Sequence, residues 1–68
     1  MVRAMENVAE TIKKLRARRG LTQAELAQKA ALSRGYLIRL EQGKQDPTLG
    51  VLRRLAAALN VPITRLVR

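Results

Sequence analysis

The chain has 68 residues, with fourteen Lys or Arg, five Asp or Glu and a formal net charge of +9. That length holds one small domain, and a chain of about 60 residues buries only roughly 60% of its unfolded surface, which argues against a deep catalytic cleft. Cys and His are both absent, so disulfides, Cys-ligated zinc, thiol chemistry and the commonest general base are excluded.

Eleven Leu and ten Ala dominate the apolar residues, and both favour helix. The first helix is expected from about Glu6 to Arg19. Val8, Ile12 and Leu15 fall at i, i+4 and i+7 and make one apolar stripe. Gly20 stops it in the left-handed conformation, and Arg16, Arg18 and Arg19 suit the negative end of the helix dipole. The second helix opens on Thr22-Gln23-Ala24-Glu25, a capping box, and ends within two turns. Leu26, Ala27 and Ala30 form its inner face. The third starts at the N-cap Ser33 and runs to about Gln42, with Leu37 and Leu40 inward, Glu41 beside them and Gly43 as its stop. The fourth follows Pro47 and is capped by Thr48. Leu49, Leu52, Leu55, Ala56 and Leu59 are expected inward, and Asn60 is a left-handed terminator. The fifth, Pro62 to about Val67, is short, and Ile63 and Leu66 are placed to fold back on the core.

Helices two and three are joined by Ala31 and Leu32 leading into Ser33. A short connection with small Ala27 at the crossing is a helix-turn-helix. The longest apolar run is Leu55 to Leu59, far below the about 20 residues of a membrane span. Residues 1–6 contain no apolar leader core, so a cytoplasmic protein is expected, nucleoid-associated if it binds DNA.

Five stretches then match one pattern in order and spacing: Leu21 to Ala30, Ser33 to Leu37, Leu40 to Lys44, Asp46 to Leu49, and Leu55 to Val61. They resemble the Cro/CI-type (XRE) helix-turn-helix family of phage repressors and bacterial regulators, over roughly residues 8–67. The resemblance implies an all-α, five-helix, lambda-repressor-like DNA-binding domain whose third helix, about residues 33–42, lies in the major groove. It implies an internal Arg16–Glu41 ion pair bracing helix one against that helix. Gln23 matches a phosphate-contacting position, and Ser33, Arg34, Gly35 and Arg39 match positions facing base edges. It also implies a homodimer joined around Pro62, Ile63, Leu66 and Val67. Two departures stand out. Ala31 occupies a turn position that is usually Gly, at on the order of 1 kcal/mol if its φ is positive. Ile38 stands where a polar residue is usual.

The residues carry their own chemistry beside the resemblance. Charge is concentrated at the ends: +4 over residues 1–19, +1 over 20–47 and +4 over 48–68. Such a domain suits phosphate neutralisation and counterion release. The Lys13 to Arg19 run reads more simply as the solvated face of helix one than as a localisation or heparin-type signal. The guanidinium forks of Arg34 and Arg39 fit guanine O6 and N7, or else touch phosphates only. They are about 140° apart on a helix. Gly35 either permits close approach to DNA or is only a weak helix residue. Tyr36 either gives its hydroxyl to a phosphate or packs as a half-buried core ring. Thr22 and Gln23 sit at a helix N-terminus that favours an anion, with Thr22 mainly a cap. Lys44 faces the DNA backbone or is a mobile loop lysine. With Tyr36 the single aromatic, there is no stacking platform for single strands. Gly43-Lys44 lacks the upstream glycine and strand of a phosphate-binding loop. No metal cluster, cofactor or enzymatic activity is expected.

The expected function is that of a transcriptional regulator binding double-stranded DNA, as a dimer on half-sites about 34 Å apart. No effector domain, metal sensor or protease-sensitive linker is recognisable, so regulation is expected from concentration, a partner or autorepression. A phage-type repressor, a restriction–modification controller and an antitoxin holding a toxin all fit. A cationic membrane-surface protein would need one amphipathic helix, not several capped ones.

Overall fold

Side-chain caps start three of the helices, and left-handed residues stop all four. The computed structural model describes the backbone of residues 4–67 and the side chains of residues 8–67. Residues 1–3 and Arg68, which enter the leader and charge readings above, lie outside the described residues. Among the described residues there are four α-helices and no strand: α1 (Ala4–Arg18), α2 (Gln23–Lys29), α3 (Arg34–Glu41) and α4 (Leu49–Leu59). The Thr22 hydroxyl accepts from the Glu25 amide at 3.0 Å while Glu25 accepts from the Thr22 amide at 2.8 Å, completing the capping box. Ser33 and Thr48 cap α3 and α4, taking the Tyr36 and Val51 amides at 3.0 and 3.1 Å.

All four helices end alike. Gly20, Ala31, Gly43 and Asn60 have φ of 70°, 57°, 75° and 58°. Each such residue donates to the carbonyl three back, and its successor to the carbonyl five back. In the turn after α2 these are Ala31 N to Gln28 O at 3.2 Å and Leu32 N to Ala27 O at 2.8 Å. This is the Schellman motif, which satisfies carbonyls that a helix end leaves open. Ala31 does adopt the positive φ that its turn position requires, and an L side chain there costs on the order of 1 kcal/mol.

The core is one cluster. Ile12 and Leu15 of α1, Leu26 and Ala27 of α2, Ala30 after it, Leu37 and Leu40 of α3, and five residues of α4 form it with Leu66. The six largest fully buried side chains are Ile12, Leu26, Leu37, Leu40, Leu55 and Leu59. Full burial of such a side chain is worth about 1.5–3 kcal/mol.

Two expectations are corrected here. The fifth segment is a single 3-10 turn, Ile63–Arg65, not an α-helix. Helix nucleation is costly, and here Leu66 is drawn into the core as the turn closes, with its amide donating to the Ile63 carbonyl at 2.8 Å. Leu49 is exposed at 54%, while Val51 is buried in its stead. Leu49 is the first residue of α4. Side chains tilt toward a helix N-terminus, so this one overhangs the core.

Candidate nucleic-acid interface

α3 divides its residues between two faces. Leu37, Leu40 and Glu41 are buried, and Ser33, Arg34, Gly35, Arg39 and Gln42 are exposed. At about 100° per residue, Gly35, Arg39 and Gln42 lie centrally on the outward face and Arg34 at its border. Ile38 is half-buried between them. Gln42 belongs to this face although it carries no site role in the sequence. By sequence it marks only the approximate end of the third helix.

A polar hub fixes that helix from inside. Arg16 Nε donates to Glu41 Oε2 at 2.7 Å and its Nη2 to Oε1 at 3.1 Å, a two-pronged pair. Arg16 Nη1 donates to the Leu21 carbonyl at 2.9 Å, and Gln23 Nε2 to Glu41 Oε1 at 3.0 Å. Glu41 thus ties α1 and the start of α2 to α3, and Arg16 holds the loop after α1. Its side chain is 3% exposed and that of Arg16 17%. No buried side-chain nitrogen or oxygen among the described residues lacks a partner. The hydrogen bond that Arg16 donates to Glu41 raises the Arg16 pKa, against the lowering effect of burial.

The predicted residues separate into groups. Thr22 is exposed and acts as a cap. Gln23 is half-buried and spends one amide hydrogen on Glu41. The Ser33 hydroxyl oxygen caps α3. The Tyr36 ring is half-buried and packs on the core. Lys44 is exposed directly after the α3 stop. At the C-terminal end Pro62 is exposed, and Ile63 and Val67 are partly buried against the core. Leu66, at 3% exposure, fills the protomer's own core and so is not a surface residue for a dimer contact. Glu10 pairs with Lys13 at 3.6 Å on the surface of α1. Among the described residues no three His, Cys, Asp or Glu side chains gather as a metal site, and no helix is long and apolar enough to cross a membrane.

The sequence reading missed Gln45. Its Oε1 accepts from Arg39 Nε at 3.4 Å. Its only sequence signal is its place two residues after Gly43, where the helix stop turns the chain back beside the last turn of α3.

Comparison with known proteins adds to this geometry. A helix-turn-helix family model matches residues 12–66. The immunity repressor protein of Bacillus phage phi105 is 42% identical over 60 residues, covering 88% of this chain and 42% of that protein. The restriction–modification controller protein C.AhdI from Aeromonas hydrophila superposes with a TM-score of 0.89 at 29% identity, over 91% of this chain and 94% of its own. The biofilm regulator SinR, solved in complex with DNA, gives a TM-score of 0.83 at 32% identity, over 87% of this chain and 95% of its own. The chain therefore spans less than half of the phage repressor's length and almost all of the two solved chains.

Proposed function

The chain belongs to the helix-turn-helix family, and we propose that it is a sequence-specific, double-stranded DNA-binding transcriptional regulator of repressor type. The observation that carries this is the division of α3. One face is locked into the core by Leu37, Leu40 and Glu41, and the other presents Arg34 and Arg39 to solvent. A helix held this way can enter a major groove about 12 Å wide without rearranging. The likeness to SinR, solved in complex with DNA, supports DNA as the partner.

In this reading Arg39 and Arg34 address base edges, with Ser33 and Gly35 beside them. Gln23, Thr22, Tyr36 and Lys44 address phosphates. Gln23 retains one amide hydrogen beyond its bond to Glu41, and helix N-terminal amides at α2 add a favourable dipole. The net charge of +9 supplies the salt-dependent part of the affinity. One such helix reads few base pairs, so two protomers are needed for a palindromic operator, with half-sites about 34 Å apart. The proposed dimer surface is the outer side of Pro62, Ile63 and Val67.

Selection from a pool of random duplexes tests the proposal and gives operator and symmetry together. Arg39→Ala should relax preference at one base pair, at about 1–3 kcal/mol. Lys44→Ala should weaken all duplexes alike and lower the salt slope by about one. Uniform loss in both variants would refute base reading by Arg39. Sedimentation showing only monomer at tens of micromolar, with and without DNA, would refute the dimer.

A further inference from the structure

We infer, resting on the DNA-binding reading above, that Gln45 is a positioning residue that pre-sets the Arg39 guanidinium for end-on recognition of one base. The local sequence makes the contact. Gly43, at φ 75°, reverses the chain after α3. The Gly43 amide donates to the Leu40 carbonyl at 3.0 Å, and the Lys44 amide to the Arg39 carbonyl at 2.9 Å. These two bonds clamp the backbone against the last turn of α3, so Gln45 meets the side chain of Arg39 with little freedom left in the segment between them.

Arg39 is bounded on both sides. Its Nε donates to Gln45 Oε1 at 3.4 Å. Its Nη1 lies over Gly35, one turn earlier, where a β-carbon would stand 3.5 Å away. The guanidinium therefore lies along the outward face of α3, with Gly35 as its floor and Gln45 as its stay. Because Nε is occupied, the two terminal nitrogens are the prongs left for a ligand. That pair matches two acceptors on one base edge, as guanine O6 and N7 present them. An arginine already held this way loses less rotamer freedom on binding. At 3.4 Å the hydrogen bond is long, so the restraint is modest, and several-fold discrimination is its proper scale.

The neutral amide matters. A carboxylate at this position would accept from Nε as well, but it would pair with the cation and oppose the phosphates. Gln45 steers Arg39 without lowering the positive charge of the face.

The test uses the full chain and the duplex that the wild type selects, with each base pair changed in turn. Gln45→Ala should reduce discrimination about fivefold, and only at the base pair that Arg39→Ala also relaxes, where the arginine variant loses roughly tenfold to a hundredfold. Affinity for unselected duplex and the salt slope should not change. The double variant should lose no more than Arg39→Ala alone, because the two residues act as one unit. Gln45→Glu keeps the acceptor, so it should retain the preference while binding all duplexes more weakly. Uniform loss in Gln45→Ala would mark a phosphate contact and overturn the inference. Loss at another base pair would mark direct reading by Gln45 and overturn it too, as would additive losses in the double variant. If the wild type itself selects no duplex, the functional reading fails first, before any variant is made.

Discussion

The two faces of α3 use charge in opposite ways. On the inner face Glu41 is 3% exposed and accepts from Arg16 through two nitrogens and from Gln23. On the outer face Arg34 and Arg39 are exposed, and the bond of Arg39 is a long one to a neutral amide. A buried charge is tolerable only when paired and fully hydrogen-bonded. A surface charge kept for a partner must stay uncommitted. One short helix meets both requirements because its two faces are set by a 3.6-residue repeat. The inner charges set the orientation of the helix, and the outer ones have a use only because that orientation is set.

The largest expected effect comes from breaking the inner face. Glu41→Ala strands Arg16 and the Gln23 amide, and should cost about 3–5 kcal/mol. In a domain of this size that lowers the melting temperature by more than about 12 °C. Replacing both partners, Arg16→Met with Glu41→Leu, should recover much of the loss, because no unpaired charge remains. A loss below about 1 kcal/mol in thermal denaturation would show that the hub is a surface ion pair and would remove the contrast between the faces. The pH dependence follows from the raised Arg16 pKa. A cation with a raised folded-state pKa contributes stability below its unfolded value and loses it only above. The Arg16 contribution should therefore be flat from about pH 6 to about pH 10.

What was legible beforehand follows the range of the interactions. Caps at Thr22, Ser33 and Thr48 act within three residues, so composition and spacing suffice to place them. The stops at Gly20, Gly43 and Asn60 are equally local. Arg16–Glu41, 25 residues apart, was accessible only through family resemblance. Leu49 was misplaced inward because helical spacing ignores where the core ends along the axis. Leu66 was read both as core and as a dimer contact, since burial inside a protomer and burial between protomers require the same apolar residue. Gln45 was missed because its partner depends on how tightly the stop at Gly43 folds the chain back.

The four shared terminators allow a sharper, smaller test. Ala31 is the one alanine among two glycines and an asparagine with the same backbone geometry. Ala31→Gly removes the steric cost of the left-handed conformation and should raise stability by about 1 kcal/mol, less what glycine adds to unfolded-chain entropy. Gly20→Ala is the reciprocal change. A β-carbon there meets nothing within 4 Å, so any loss measures backbone strain less the unfolded-chain entropy that alanine removes. Melting temperatures moving in opposite directions by similar amounts would show that the turn between α2 and α3 is strained by one residue type only. Equal and negligible shifts would remove that account of Ala31.

The smallest stability effect bears most directly on the outer face. Gly35 is exposed near the start of α3, and an added β-carbon would make only ordinary contact with Arg39 Nη1 at 3.5 Å. In stability terms Gly35→Ala should be mildly favourable, by about 0.5 kcal/mol, since alanine is the better helix former. If the position exists to let α3 approach a base edge, the same methyl group should reduce affinity for the selected duplex while unselected duplex binds as before. Thermal denaturation and duplex titration should then move in opposite directions for one substitution. A rise in both would show that Gly35 is only a weak helix residue, and that the close approach of α3 to DNA is set by Arg34 and Arg39 without it.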